Sequence, residues 1–279
     1  MATWWLQKGG VDVTVKLKSA DAESLLNSVF EVMGAEPSSR SKGAVLHVAG
    51  SAGAWQLKDK STKIDRILKL DGDLIYHLTD RLIFHIANSV QEAHCVHAAA
   101  VSFEGGALVV PAKSGAGKST FTSWLVANGF DYVTDELIVI DEASHVQGVA
   151  RPIQIKSNGL DAIRALLKSS EYHQGSIATA IPIAALGGQV ADDVDRLAAF
   201  VFPSYTRDAE FEFKQLSSAE AGLQLMNNHV NARNLPDHGF RAMMQLIRKT
   251  PCYSLQYGGF DTLPTHFVTT LQQLCAPAS

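Results

Sequence analysis

The stretch 107-ALVVPAKSGAGKSTFTSWLVANGFDYVTDELIVI-140 decides how this chain folds. It opens on a short apolar run, Ala107 to Pro111, suited to a buried strand. Small residues follow from Ala112 to Gly117, and then come Lys118 and Ser119. From Ser119 to Asn128 the spacing predicts a helix, with Gly129 as a stop at its end. A second strand leads into Asp135-Glu136. Strand, small-residue loop, helix, strand and acid is the layout of a P-loop nucleotide site in an α/β fold.

Chemistry accounts for the residue types. A polyphosphate needs several backbone N–H groups pointing into one concavity, and bulky side chains there would block its approach. Ser114, Gly115, Ala116, Gly117, Lys118, Ser119 and Thr120 are the candidate cradle, with the helix N-terminus adding partial positive charge. Lys118 is placed to reach the β- and γ-phosphates of ATP, and the Ser119 hydroxyl to ligate Mg²⁺. Asp135 and Glu136 offer hard oxygens that complete a metal shell or take a proton. The usual first glycine of such a loop is Ala112 here. If that position needs positive φ, alanine is strained by roughly 1 kcal/mol; if not, nothing is lost.

Three features stand in register. Ser114-Gly115 gives the loop a serine-glycine step, His97 lies fifteen residues before Ala112, and the acids lie 23 and 24 residues after it. With SGAGKST and the downstream TDE, this resembles the HPr kinase/phosphorylase group and its HPr-kinase-related relatives. Their nucleotide core is similar to that of phosphoenolpyruvate carboxykinase. The resemblance is close over Cys95 to Ile140 and weaker at Arg151-Pro152-Ile153 and at PCYSLQYGGF, residues 251 to 260. It implies an ATP- and Mg-dependent kinase with His97 near the loop as a phosphate- or base-orienting partner. The acceptor it implies is a serine hydroxyl of a protein or peptide, or a small hydroxylated metabolite, and it allows a homo-oligomer. The chain departs from true HPr kinases in lacking the motif that follows their acids and in its N-terminal third.

The whole chain of 279 residues carries a net charge of −4, with 46% hydrophobic and 19% charged residues. That is an ordinary globular composition without a basic footprint, which argues against nucleic acid as a partner. Cys95, Cys252 and Cys275 are scattered without CxxC spacing and suit a reducing cytoplasm. No run approaches 18 apolar residues and the start lacks a signal-peptide pattern, so neither a membrane nor an export role is expected.

Residues 1–92 read as a small N-terminal α+β lobe, and 93–279 as the kinase-like domain. In the lobe the pattern predicts a strand over 11–17, a helix over 20–33, a hairpin from 44–48 to 54–58 and a helix over 74–90. His77 and His85 read as packing histidines, and Trp4-Trp5 as an edge anchor or a docking patch. His94 and His97 are three apart, which suits a shared metal poorly on a strand. Glu104-Gly105-Gly106 makes a turn into the loop strand. Beyond Ile140, a short hairpin is expected over 141–148 and a strand over 152–155 flanked by Arg151 and Lys156, whose cations meet either phosphate or solvent. A helix is expected over 161–168, followed by a polar stretch, 169–176, that is either a substrate loop or a plain connection. A buried strand is expected over 197–203, with Arg207 behind it as a candidate phosphate contact or a surface residue. A helix over 217–226, a polar cluster over 227–234 that would line an acceptor pocket, a helix over 239–249, a strand over 252–257 and a helix over 262–274 complete the chain.

For function, the loop and acids favour phosphoryl transfer to a hydroxyl, with Lys118 on phosphate and Ser119 and Glu136 on the metal. Asp135 would be the proton acceptor, oriented or tuned by His97; the roles of Asp135 and Glu136 are interchangeable at this level. A nucleotide-hydrolysing switch and a nucleotide-sensing scaffold without turnover are the alternatives.

Overall fold

A computed structural model of the chain describes residues 2–113, 115–191 and 193–277. It begins with two strands the pattern only half reveals, β1 (Thr3–Lys8) and β2 (Val11–Leu17). β1 buries Trp4, Leu6 and Lys8 in strict alternation, with Trp4 stacked on Phe30 at 5.1 Å. Helix α1 (Ala20–Met33) starts at Ser19, whose hydroxyl accepts from the Ala22 N–H, and stops at Gly34 in the left-handed conformation. After β3 (Glu36–Pro37), the hairpin β4 (Ala44–Ser51) and β5 (Ala54–Asp59) forms as expected, followed by β6 (Ile64–Leu68) and α2 (Asp71–Ser89). These strands make one sheet in the order β3-β1-β2-β4-β5-β6. His85 is buried and bonds Asp59 at 2.8 Å, whereas His77 meets Arg66 near the surface.

A larger sheet follows. It draws on β7 (His94–Phe103), β8 (Gly106–Pro111), β9 (Asp131–Thr134) and β10 (Leu137–Ile140), with α3 (Lys118–Ala127) between β8 and β9. β11 (Val146–Gly148) completes the short hairpin with β10. β12 (Ile153–Ile155) pairs instead with β13 (Thr179–Ile181), and α4 (Ser157–Ile163) lies between them. The chain ends with β14 (Asp193–Val194), β15 (Arg196–Tyr205), β16 (Glu212–Gln215), α5 (Ser218–Met226), α6 (Phe240–Lys249), β17 (Cys252–Tyr257) and α7 (Phe267–Cys275). Among the described residues the large sheet has nine strands in the order β14-β11-β10-β7-β8-β15-β17-β16, with β9 also on β7. β8, β15 and β17 run parallel, and the other pairs are antiparallel.

Helices cover both faces. Phe121, Trp124 and Leu125 of α3 pack with Phe267 and Leu271 of α7 over Val101, Leu108 and Val110. Ala221, Leu225, Met243 and Ile247 from α5 and α6 cover Ala98, Ala100, Val109 and Phe200 on the other face. A third apolar cluster joins the first sheet and its helices to Cys95, Leu137 and Val139 of the second. The fold is thus mixed α/β with several mixed sheets, and no helix among the described residues is long and apolar enough to cross a membrane.

Several expected elements shift. The helix expected over 161–168 begins at Ser157 and gives way to a 3₁₀ turn at Arg164–Leu166. The last helix starts at Phe267, after a 3₁₀ turn at Phe260–Thr262. The stretch 169–176 is tied to α2, because the Asp73 carboxylate accepts from both the N–H and the hydroxyl of Ser176, and the Gly72 N–H donates to the Gln174 carbonyl.

The polar cluster 227–234 is not part of the cleft at the loop. It is a clamp: Asn231, fully buried, accepts from the Cys95 N–H and donates to the Val90 and Ala93 carbonyls. Asn234 donates to the Asn88 and Val90 carbonyls, and the His97 N–H donates to the Asn228 carbonyl. Replacing Asn231 by Ala would strand the buried Cys95 N–H and the Ala93 carbonyl, so Asn231→Ala should lose roughly 2–4 kcal/mol in urea unfolding. The exposed Asn227→Ala should leave the midpoint unchanged, and equal stability of the two variants would refute the clamp.

Candidate functional site

The loop between β8 and α3 is shaped by two glycines in the left-handed region, Gly115 (φ 89°) and Gly117 (φ 86°), the latter capping α3. Ala112 is buried and is not among the residues with positive φ, so alanine replaces the usual glycine there without backbone strain. Ser114, a candidate cradle residue, lies outside the described residues. The Ala116 N–H donates to the Lys113 carbonyl. The first intrahelical bond of α3 runs from the Phe121 N–H to the Gly117 carbonyl. The N–H groups of Lys118, Ser119 and Thr120 at the helix start therefore have no intrahelical acceptor.

Strand register brings His97 and the acids to this loop. His97 on β7 lies opposite Leu137, the Ala98 N–H donates to the Glu136 carbonyl, and Ala98 in turn faces Pro111 at the end of β8. Asp135 and Glu136 occupy the turn between β9 and β10, both of which pair with β7. Residues from 97 to 136 thus meet through one central strand.

Asp135 is 0% exposed and its carboxylate is fully engaged. One oxygen accepts from the Tyr132 hydroxyl and Arg151 Nε, and the other from the Ser119 hydroxyl and the Gln154 N–H. Arg151 is 3% exposed and also donates to Glu136 at 2.8 Å. Its cation bridges the two acids, and Arg151 also lines the cleft described below. Burial alone would lower the Arg151 pKa, but the two carboxylates outweigh it and hold it above the ordinary value. Burial would likewise raise Glu136, yet Arg151, with Lys118 adding to it, holds its carboxyl well below the usual range. Glu136 is ionised at neutral pH, and at 34% side-chain exposure it faces the open side.

Lys118 and Glu136 share one ring nitrogen. His97 Nε2 lies 2.7 Å from Lys118 Nζ and 3.1 Å from a Glu136 oxygen. A ring nitrogen carries either a proton or a lone pair, so it cannot serve both neighbours at once. Burial lowers the Lys118 pKa to about 8, against the pull of Glu136 and Asp135, so the ammonium persists at neutral pH. Nε2 then accepts from Lys118, and Glu136 acts on the pair through its charge.

These groups open into a cleft of about 400 Å³. His97, Gly115, Gly117, Lys118, Ser119, Thr120 and Glu136 line it, whereas Asp135 lies behind the wall. Arg207 is exposed and lies outside the lining, as does the cluster 227–234. The opposite walls carry residues the motif does not reveal: Tyr76 from α2, Asn158 and Gly159 from α4, and Tyr205, Tyr257 and Phe260. Tyr257 and Phe260 fall in the stretch PCYSLQYGGF, which the sequence does single out, while Tyr76 is hidden inside an amphipathic helix pattern. Gln154 Oε1 is buried on the cleft wall without a partner among the described residues, its amide nitrogen being committed to the Pro152 carbonyl. Among the described residues no group of three or more His, Cys, Asp and Glu side chains is arranged to hold a metal, and His94 instead contacts His229 at 3.3 Å.

No family model matches the chain, and no curated protein matches it. Among solved structures it is similar to the HPr(Ser) kinase/phosphatase from Coxiella burnetii, with a TM-score of 0.31 and 9% identity over 64% of this chain and 92% of that one. The likeness is distant, and the reading of the cleft rests on its own residues.

Two outcomes follow from the charges. Arg151→Met removes the shared cation and leaves two acids without their partner, which should cost roughly 3–5 kcal/mol in urea unfolding; an unchanged midpoint would contradict the pairing. The Lys118 ammonium should titrate near pH 8 by ¹³C NMR, and Glu136→Gln should move it lower, because Glu136 is the leading charge that raises it. Since the folded pKa lies below the ordinary 10.5, the unfolded chain holds the proton longer between those values. Stability relative to Lys118→Met should therefore rise from pH 8 towards 10.5, and a fall would reverse the sign of the account.

Proposed function

We propose that the cleft binds ATP with Mg²⁺ and transfers the γ-phosphoryl group to a hydroxyl of a peptide, a protein or a small metabolite. One observation carries this: the open loop, Lys118 and Ser119 meet Glu136 and His97 in a single cleft. Residues 1–92 then form a lobe that supplies Tyr76 and anchors the stretch 169–176, and 93–279 carry the phosphate chemistry.

The residues suit the ligands. At Gly115 nothing stands within 4 Å of where a side chain would begin, so a phosphate can approach the backbone. The Ser119 hydroxyl is a hard oxygen donor and would hold Mg²⁺, an ion that takes few protein ligands and draws the rest from phosphates and water, with Glu136 reaching it only through water. Bound there, Mg²⁺ would supply neutralisation of phosphate charge. The Ser119 hydroxyl donates its proton to Asp135, which leaves its lone pairs facing outward. Asp135 is in this reading a positioning residue.

The proton-accepting role, placed first on Asp135, passes to Glu136. Every lone-pair direction of Asp135 is taken by Ser119, Tyr132, Arg151 and Gln154, and none of its surface is exposed. Glu136 is ionised and lines the cleft. Its low basicity is acceptable, because a loose phosphoryl-transfer transition state demands position more than base strength. Lys118 leaves His97 for incoming phosphate, which frees Nε2 to orient Glu136 or the attacking hydroxyl.

Incubation with ATP, Mg²⁺ and a cell extract split into peptides and small molecules tests this by mass spectrometry. An adduct of about 80 Da, one phosphoryl unit, should form with the wild-type protein and not with Lys118→Ala. Glu136→Gln should keep ATP affinity while slowing transfer by roughly 10²–10⁴-fold. Consumption of ATP without an adduct would favour the hydrolysing switch, and neither signal would favour the scaffold.

A further inference from the structure

The Tyr257 hydroxyl at the cleft has no task so far. Tyr205 and Tyr257 are the last residues of the parallel neighbours β15 and β17, where they pair in register. They end at the edge where β8, itself parallel to β15, runs into the loop. Carboxyl ends of parallel strands are where α/β sheets hold their ligands. Tyr257 is 2% exposed, with its ring against Tyr205 at 5.6 Å, Phe121 at 5.8 Å and Phe260 at 6.1 Å.

Its hydroxyl is another matter. It has no hydrogen-bond partner among the described residues, yet it is not sealed in the interior and faces the cleft. A methyl group placed on Gly117 would stand 3.2 Å from this oxygen, so the hydroxyl lies over the residue that caps α3. Burial, with Tyr205 adding to it, pushes the phenol pKa up, which keeps the proton on the oxygen and makes it a donor. Phenylalanine would fill the aromatic stack as well; the oxygen is the part that packing does not use.

We infer that the Tyr257 hydroxyl is a fixed ligand for polyphosphate, donating to a phosphate oxygen held at the start of α3 beside Lys118. The inference rests on the nucleotide reading above and extends it to a residue outside the loop. Its ring cannot swing away, so the donor is oriented before the ligand arrives, which reduces the entropy lost on binding.

Titration calorimetry on the full chain tests it with three probes: ATP with Mg²⁺, inorganic tripolyphosphate, and adenosine. Tyr257→Phe, which keeps the ring, should retain the thermal midpoint and bind ATP and tripolyphosphate about tenfold more weakly, with adenosine unchanged. Lys118→Ala should weaken the same two ligands. If Tyr257→Phe binds both phosphates like the wild type while Lys118→Ala loses them, the tyrosine assignment is overturned and the nucleotide reading stands. An equal loss for adenosine would place the effect in packing and overturn it too. No affinity for either phosphate in the wild-type protein would overturn both readings.

Discussion

A single guanidinium, that of Arg151, fixes the distance between the two acids of the cleft. It donates to Asp135 and to Glu136 from a position that water hardly reaches. Asp135 in turn holds the Ser119 hydroxyl, and Glu136 draws His97 and Lys118 to its other side. A buried carboxylate beside a half-buried one would, without that cation, repel it and take up a proton. Buried ion pairs often contribute little net stability compared with apolar replacements of the same shape. What this one contributes is geometry: each carboxylate is turned to a different side, one to the helix start and one to the open cleft.

The sheet gives these groups their places. β7 is the shared element, since β8, β9 and β10 all pair with it and bring loop, acids and His97 within reach. Its first residues are gripped by Asn231 and by the Asn228 carbonyl, so the segment 227–234 serves the site from behind rather than from within it. The N-terminal strands and α2 add a further wall. Asp73 fixes the stretch near Ser176, and Tyr76, one turn later on the same helix, enters the cleft lining. The polar stretch the sequence left open is therefore held by α2.

Legibility in the sequence followed the range of the interactions. Loop, helix and acids are local patterns, and Lys118, Ser119, Glu136 and His97 do meet. The strand β1 was hidden because Trp4-Trp5 masks an alternation that the buried Trp4, Leu6 and Lys8 reveal. β6 was hidden because its pattern IDRIL is largely exposed and carries no clear face. Which acid faces the cleft could not be read from adjacent letters, since that depends on Arg151 sixteen positions on and on Gln154 beyond it. Tyr205 and Tyr257 lie far apart in the chain and become neighbours only through parallel pairing. Ala112 needed a backbone angle to be judged, and it proves unstrained.

The central claim is that this cleft is built to hold a nucleoside triphosphate against the start of α3. A crystal structure with a non-hydrolysable ATP analogue and Mg²⁺ tests it most directly. Phosphate oxygens should then lie on the N–H groups of Lys118, Ser119 and Thr120, Lys118 Nζ should have moved from His97 onto phosphate, and the terminal phosphate should face Glu136. A nucleotide bound elsewhere, or Lys118 still resting on His97 with the analogue in the cleft, would contradict it.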